Sequence, residues 1–264
     1  MDTDVRRYLD QLVAAARAVL GEDLTGAYAA GSVALDAYQP GRSDVDVALV
    51  SARPLAGAEK SALVAALRHE TLPCPARGLE LVAYTAAAAR SGTPEPGFEL
   101  ELNTGAGMPF RQTLSVTGRP AEDGLFWYAL DRSILHQHGR TLIGPPAADT
   151  FADLAPDDLR RLLLDALTWW LARPFPPGDT PAPGAEDAVL GACRSLVRVR
   201  DGVWLSKVDA GRRLAELGYA PELIGRAIAA RTGGSPPGGA EASAFQRQVL
   251  AEIDTPVAGS GRGC

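Results

Sequence analysis

The most restrictive feature of this chain is a short one. Asp44-Val45-Asp46 runs directly into Val47-Ala48-Leu49-Val50, with eleven residues between it and a preceding Gly31-Ser32 pair. A brief apolar run rich in β-branched residues is the pattern of a buried strand. Side chains alternate faces along a strand, so Asp44 and Asp46 leave the same face, their Cα atoms about 6.6 Å apart at ~3.3 Å per residue. Two carboxylates at the mouth of an apolar strand can converge on one cation. The plain alternative is that both cap a strand beside a turn.

Patterns on either side extend this strand into a sheet. Val5, Leu9, Leu12, Val13, Ala16 and Leu20 recur at helical spacing ahead of Gly21, predicting an amphipathic opening helix. Residues 25–30 read as a strand leading into Gly31-Ser32, 56–70 are helical in composition, and 79–84 and 98–102 read as further strands. Alternation of strand and helix predicts an α/β sheet in the first half. Segments 125–138, 156–172, 187–200, 207–217, 221–231 and 242–253 all carry helical patterns, predicting an all-helical second domain. Between the halves, Leu142-Ile143-Gly144 meets Pro145-Pro146, which can continue neither kind of element. The expected division is therefore residues 1–145, residues 146–254 and a frayed tail at 255–264.

Composition serves mainly to exclude. Across 264 residues, 46% apolar and 22% charged content with a mean hydropathy of -0.02 is a globular profile, which removes disorder and collagen. No window offers ~18 consecutive apolar residues, and the charged stretch Met1-Asp2-Thr3-Asp4-Val5-Arg6-Arg7 has no apolar segment behind it, so neither a membrane span nor secretion is expected. A net charge of -6 with no basic run argues against nucleic-acid binding. Cys74, Cys193 and Cys264 lie far apart without metal-ligand spacing, as expected of unpaired thiols in a reducing cytoplasm. Small molecules are the expected partners of a monomer.

Chemistry concentrates around the Asp-x-Asp strand. Magnesium takes oxygen ligands, and its usual protein site is one or two carboxylates completed by substrate phosphates and water. Gly31 lets a backbone approach phosphate with no Cβ in the way, Ser32 adds a hydroxyl, and Arg42-Ser43 stands directly before Asp44. Together these predict a polyphosphate cradle beside a metal site. A hydroxyl nucleophile also needs a base. Glu80 is the candidate because an unpaired charge inside an apolar strand is costly unless it faces a polar cleft. Glu99 and Glu101 alternate, as on the solvated face of an antiparallel strand. Of the two lysines, Lys60 reads as a surface residue of an Ala-rich helix. Lys207 stands out as a compact charge in a chain that otherwise writes Arg. His69, His136 and His138 read as helix-surface or interface residues, and no P-loop pattern is present.

Gly31-Ser32 with Gly41-Arg42-Ser43-Asp44-Val45-Asp46-Val47 resembles the signature of the nucleotidyltransferase superfamily, and nearly the whole chain resembles the aminoglycoside (3'')(9) adenylyltransferases. Arg77-Gly78-Leu79-Glu80-Leu81-Val82 resembles that family's strand bearing the catalytic base, and Leu142-Ile143-Gly144-Pro145 its interdomain junction. Ala188-Val189-Leu190 through Arg194, then Lys207, resembles the helical segment whose Arg and Lys contact ATP. The resemblance implies a mixed-sheet nucleotidyltransferase domain followed by an all-helical domain, with ATP held from both halves. Asp44 and Asp46 would bind two magnesium ions, and Gly31, Ser32, Arg42, Ser43, Arg194 and Lys207 the nucleotide. Glu80 would deprotonate the acceptor.

The implied acceptor is a hydroxyl of an antibiotic such as streptomycin or spectinomycin. A polycation of that kind needs carboxylates and an aromatic wall. Trp170, Asp179, Glu186 and Asp187 are the candidates, although Glu186-Asp187 is equally a plausible helix start. The loop between Trp170 and Asp179 is longer than the family's, Gly184 replaces one of its acids, and Asp36 stands where a small residue is common. Two alternatives stay open: a different small-molecule or protein hydroxyl as acceptor, and a catalytically silent nucleotide-binding module.

Overall fold

The computed structural model describes residues 1–173, 175 and 180–255, which divide into two compact units, Met1–Ala155 and Pro156 onward. The first opens with α1 (Thr3–Leu20), whose first N–H groups are capped by Asp2 Oδ1 at 2.8 and 3.2 Å. Six strands follow: β1 (Leu24–Ala29), β2 (Val45–Ser51), β3 (Leu79–Thr85), β4 (Phe98–Gly105), β5 (Met108–Thr113) and β6 (Arg140–Ile143). Their spatial order is β5-β4-β3-β2-β1-β6, with β2 and β3 parallel and every other pair antiparallel. Between them lie α2 (Gly31–Ala34), α3 (Gly57–Leu67), α4 (Ala86–Arg90), α5 (Phe126–His138) and α6 (Ala147–Thr150).

The two-residue period of the strands sorts the side chains into two cores. Val45, Val47 and Leu49 of β2 and Leu79, Leu81 and Ala83 of β3 share one core with Leu9, Leu12 and Ala16 of α1 and Leu63 and Leu67 of α3. The intervening Ala48, Val50 and Tyr84 face the opposite side, against Tyr128 and Leu135 of α5 and Phe151 just past α6. Burying side chains of this size stabilises the unit by roughly 1.5–3 kcal/mol each. Tyr28 of β1, wholly buried, ties the segment after β6 to the sheet: its hydroxyl meets Pro145 O at 3.0 Å and Thr150 Oγ1 at 2.7 Å. Gly144 (φ +96°) lies so close to β1 that a Cβ there would stand 2.5 Å from Thr25 O. Residues 140–155 therefore pack with the sheet, and the units divide at 155/156, past the expected 145/146.

The second unit consists of α7 (Pro156–Leu171), α8 (Ala185–Asp201), α9 (Lys207–Glu216), α10 (Pro221–Ala230) and α11 (Gly239–Asp254). Helix α8 runs through its core, burying Ala188, Val189, Leu190, Ala192, Cys193, Leu196 and Val197 among residues of the other four helices. The fold is thus a mixed α/β sheet unit followed by a helical one, the class expected from the sequence.

Several details differ from expectation. Strands β5 and β6 lie outside the predicted set because β5 is a largely exposed edge strand with no alternating apolar pattern and β6 has four residues running into Gly144-Pro145. Lys60 is not a surface residue: with its side chain 13% exposed, its ammonium pairs with Glu99 Oε2 at 3.1 Å and donates to Leu114 O at 2.9 Å. Nor is Glu101 solvated. Buried at 5% exposure, it meets Arg119, Arg111 at 2.9 Å and Thr113 at 3.0 Å. His69 follows α3 and accepts the N–H of Cys74 through Nδ1 at 3.2 Å. Among the described residues, Cys74 and Cys193 are buried free thiols and no helix is long and apolar enough to cross a membrane. Cys264 lies outside the described residues.

Candidate active site

On the face of the sheet opposite α1 and α3, the side chains turn polar where β2 and β3 begin. Because the two strands are parallel and in register, Asp46 stands beside Glu80, one interstrand spacing of about 4.8 Å away at the backbone. The row continues through Asn103 of β4 to Arg111 of β5. Asp44 lies two residues before Asp46 and pairs with Arg77 at 3.4 Å. The backbone laces these segments together, Val45 N donating to Gly78 O at 2.9 Å and Arg77 N to Ser43 O at 3.2 Å.

Glu80 is the chemically distinctive member of the row. Burial pushes its carboxyl up to about 7; the charges of Asp44 and Asp131 push in the same direction, while Arg77 and Arg111 pull back. A carboxyl held near neutrality can both accept a proton and release it, as a general base must.

The Gly31-Ser32 pair begins α2 at the end of β1, and Ala30 N donates to Asp46 O at 2.9 Å, holding this turn against β2. Gly31 has φ +51°, and a Cβ there would lie 1.8 Å from Asp46 Oδ2. Only glycine lets the backbone approach that carboxylate so closely. The Ser32 hydroxyl is buried and meets no hydrogen-bond partner among the described residues. Arg42 is half-buried in the loop before β2. Ser43 is committed to that loop: its Oγ accepts the N–H of Gln39 at 3.0 Å, and its own N–H donates to Gln39 O at 2.9 Å.

Among the described residues no three His, Cys, Asp or Glu side chains close into a metal cage. Magnesium bound to a nucleotide needs none, since phosphates and water complete its shell. Two neighbouring carboxylates, an unsatisfied hydroxyl and a backbone approach that a Cβ would block fit a magnesium–polyphosphate group.

In the helical unit, Lys207 at the start of α9 and Arg194 of α8 are drawn into one charged cluster. Lys207 Nζ donates to Asp187 Oδ1 at 3.0 Å, and Arg231, just past α10, donates to the same oxygen at 2.6 Å. Burial lowers the Lys207 ammonium, Asp187 opposes this, and Arg194 and Arg231 lower it further. The acceptor candidates do not form one group here. Trp170 on α7 is 39% exposed and edge-on to Trp169 at 5.1 Å. Glu186 is buried at 8% exposure and takes the N–H of Gly184 at 3.1 Å, the helix-start role weighed above. Asp187 is turned to Lys207 and Arg231, and Asp179 lies outside the described residues.

Four charged residues of these clusters were not singled out by sequence reasoning. Arg111 required β5, Asp131 and Arg231 look like ordinary helix residues, and Arg77 was quoted only as a neighbour of Glu80. Asp36 adopts φ +51° and pairs with Arg140 at 2.7 Å, anchoring the turn after α2 to β6.

No protein-family model matches this sequence, and no curated protein matches it. A solved structure does: spectinomycin adenyltransferase AAD(9) from Enterococcus faecialis with ATP and spectinomycin, at TM-score 0.65 and 15% identity, over 95% of this chain and 100% of that one. This chain shares that protein's fold, a mixed-sheet unit followed by a helical unit.

Proposed function

We propose that this protein is an ATP-dependent adenylyltransferase that transfers AMP to a hydroxyl of an aminoglycoside-type antibiotic and releases pyrophosphate. The observation that carries the reading is the register of β2 and β3, with Asp46 beside Glu80 and Gly31 pressed against Asp46. The shared fold with an enzyme crystallised with ATP and spectinomycin supports it.

In this reading Asp44 and Asp46 would hold magnesium, as two ions. The metal, when bound, supplies charge neutralisation on the triphosphate and orients the leaving pyrophosphate. Gly31 and the Ser32 hydroxyl receive phosphate oxygens, with Arg42 behind them. Arg194 and Lys207 balance the remaining triphosphate charge. Glu80 takes the proton of the acceptor hydroxyl as its oxygen attacks the α-phosphorus and the bond to pyrophosphate breaks. Trp170 offers the acceptor an aromatic wall.

The decisive experiment incubates the protein with magnesium, ATP and either streptomycin or spectinomycin. Product mass and pyrophosphate release are then measured together. Addition of one AMP unit to either drug is the expected result. Pyrophosphate release with neither drug, but with another hydroxyl compound, would leave the reaction and replace the acceptor. The engagement of Glu186 and Asp187 within the helical unit favours this second reading, because it turns two of the expected drug-binding acids toward the protein's own groups.

A further inference from the structure

Helix α8 ends at Asp201 and α9 begins at Lys207, and the link between them folds one aromatic side chain back onto α8. Both ends of the link are fixed. Gly202 turns the chain at φ +73°, a conformation that suits a residue without a Cβ, and its N–H donates to Arg198 O at 3.1 Å. Ser206 caps α9, its Oγ accepting the N–H of Asp209 at 3.1 Å. Between them Trp204 is buried at 2% exposure, with the guanidinium carbons of Arg194 and Arg198 over its ring, 5.7 and 5.6 Å from the centroid. The two arginines are four residues apart and so share one face of α8. They differ in what surrounds them. Arg198 is buried and committed to the turn, donating to Gly202 O at 2.6 Å, whereas Arg194 is half-buried and lies in the field of Lys207. Among the described residues Trp204 is not a member of the apolar core that α8 shares with the other helices, so packing of that core does not account for its burial.

We propose that Trp204 is a positioning residue for nucleotide binding, its indole ring holding the Arg194 guanidinium in place to receive polyphosphate. The inference rests on the reading that Arg194 meets the triphosphate, and adds the group that presents it. A long arginine side chain loses rotamer freedom when an anion fixes it, and a ring that already confines the guanidinium lowers that cost. A π face engages the flat side of a guanidinium and does not consume its N–H donors, which suit paired phosphate oxygens. Trp204 thus acts on the nucleotide through Arg194.

The test is calorimetric titration of the full-length wild type, Trp204→Leu, Trp204→Phe, Arg194→Gln and each Trp204 variant combined with Arg194→Gln, using magnesium-ATP and tripolyphosphate. Thermal melts run alongside to show that each variant is folded. Trp204→Leu should bind both polyphosphates roughly 3- to 30-fold more weakly, the worth of a cation–π contact between its exposed and desolvated limits. Trp204→Phe keeps a π face and should lose less. In the Arg194→Gln background neither Trp204 change should weaken binding further, because the ring then has no guanidinium to present. Should Trp204→Leu fail to fold, the cycle with Trp204→Phe gives the same reading from its smaller loss. A merely structural role would weaken binding by the same factor in both backgrounds, and that additive result would overturn the inference alone. Undiminished binding by Trp204→Leu, or an equal loss in Trp204→Phe, would also overturn it. Wild type that binds neither polyphosphate, or Arg194→Gln that binds them as tightly as wild type, would overturn the nucleotide role of Arg194 and this inference together. Should the wild type bind as described yet adenylylate no acceptor, the proposed enzyme activity fails and this inference stands.

Discussion

Replacing Glu80 by Gln should stop the reaction and, above neutral pH, make the protein more stable. Burial and the neighbouring Asp44 and Asp131 charges raise the Glu80 carboxyl from 4.5 to about 7. The folded state therefore holds a proton that the unfolded chain has released between about pH 4.5 and about pH 7, so stability falls as pH rises through that window. Well below 4.5 both states are protonated and Glu80 costs nothing. Above 7 it is ionised in both, and the full penalty is present. A shift of this size corresponds to roughly 3 kcal/mol. Glutamine keeps the shape of the protonated acid and carries no charge, so its stability advantage should grow from near zero at about pH 4 to roughly 3 kcal/mol at about pH 8. Urea unfolding of both proteins across this range, in the absence of magnesium and nucleotide, measures the difference directly. Single-turnover assays on the same variant should show a loss of about 10²–10⁴ in rate, the range for removing a general base. A stability difference that does not change with pH would refute the assignment of strain to the Glu80 charge. Full activity in the variant would refute its role as base.

Three further outcomes follow from the same geometry. Asp46→Asn should reduce magnesium-dependent turnover by about 10²-fold or more while the far-ultraviolet spectrum stays unchanged, and titration with magnesium in the presence of ATP should show weakened metal dependence. Gly31→Ala should do similar damage without touching a charged group, since its Cβ would lie 1.8 Å from Asp46 Oδ2 at φ +51°; the added strain of about 1 kcal/mol should appear as a small loss in melting temperature. Glu101→Gln should destabilise the sheet unit by about 3 kcal/mol because Arg119 and Arg111 lose a buried partner. Although burial opposes it, the two arginines and Thr113 hold the Glu101 carboxyl below its ordinary value, so its contribution should be lost as pH falls through that lowered value. Acid unfolding of wild type and variant would measure it.

Much of this protein was determined locally. The alternation of Val45, Asp46, Val47, Ala48 and Leu49 is enough to assign a strand, its two faces and two carboxylates on one of them, because the two-residue period of an extended chain is a property of the backbone alone. The class of fold follows in the same way from strand and helix patterns in the first half and helix patterns after residue 156. Glu80 could be singled out because a carboxylate inside an apolar run is costly wherever the strand lies.

What required the tertiary structure was everything that depends on neighbours distant in sequence. The parallel register that sets Asp46 beside Glu80 arises from pairing between strands more than thirty residues apart, and no local pattern specifies it. Edge strand β5, which brings Arg111 into that row, is largely exposed, has no alternating apolar face and is stabilised by pairing with β4. Glu101 and Lys60 read as solvated because charge predicts exposure, yet partners on other elements allow both to be buried. Asp187 has the local pattern of a helix start, and only the meeting of three helices makes it the carboxylate shared by Lys207 and Arg231. Backbone period and apolar content are written residue by residue. Electrostatic partnership depends on distance in space, so it emerges only when the chain has folded.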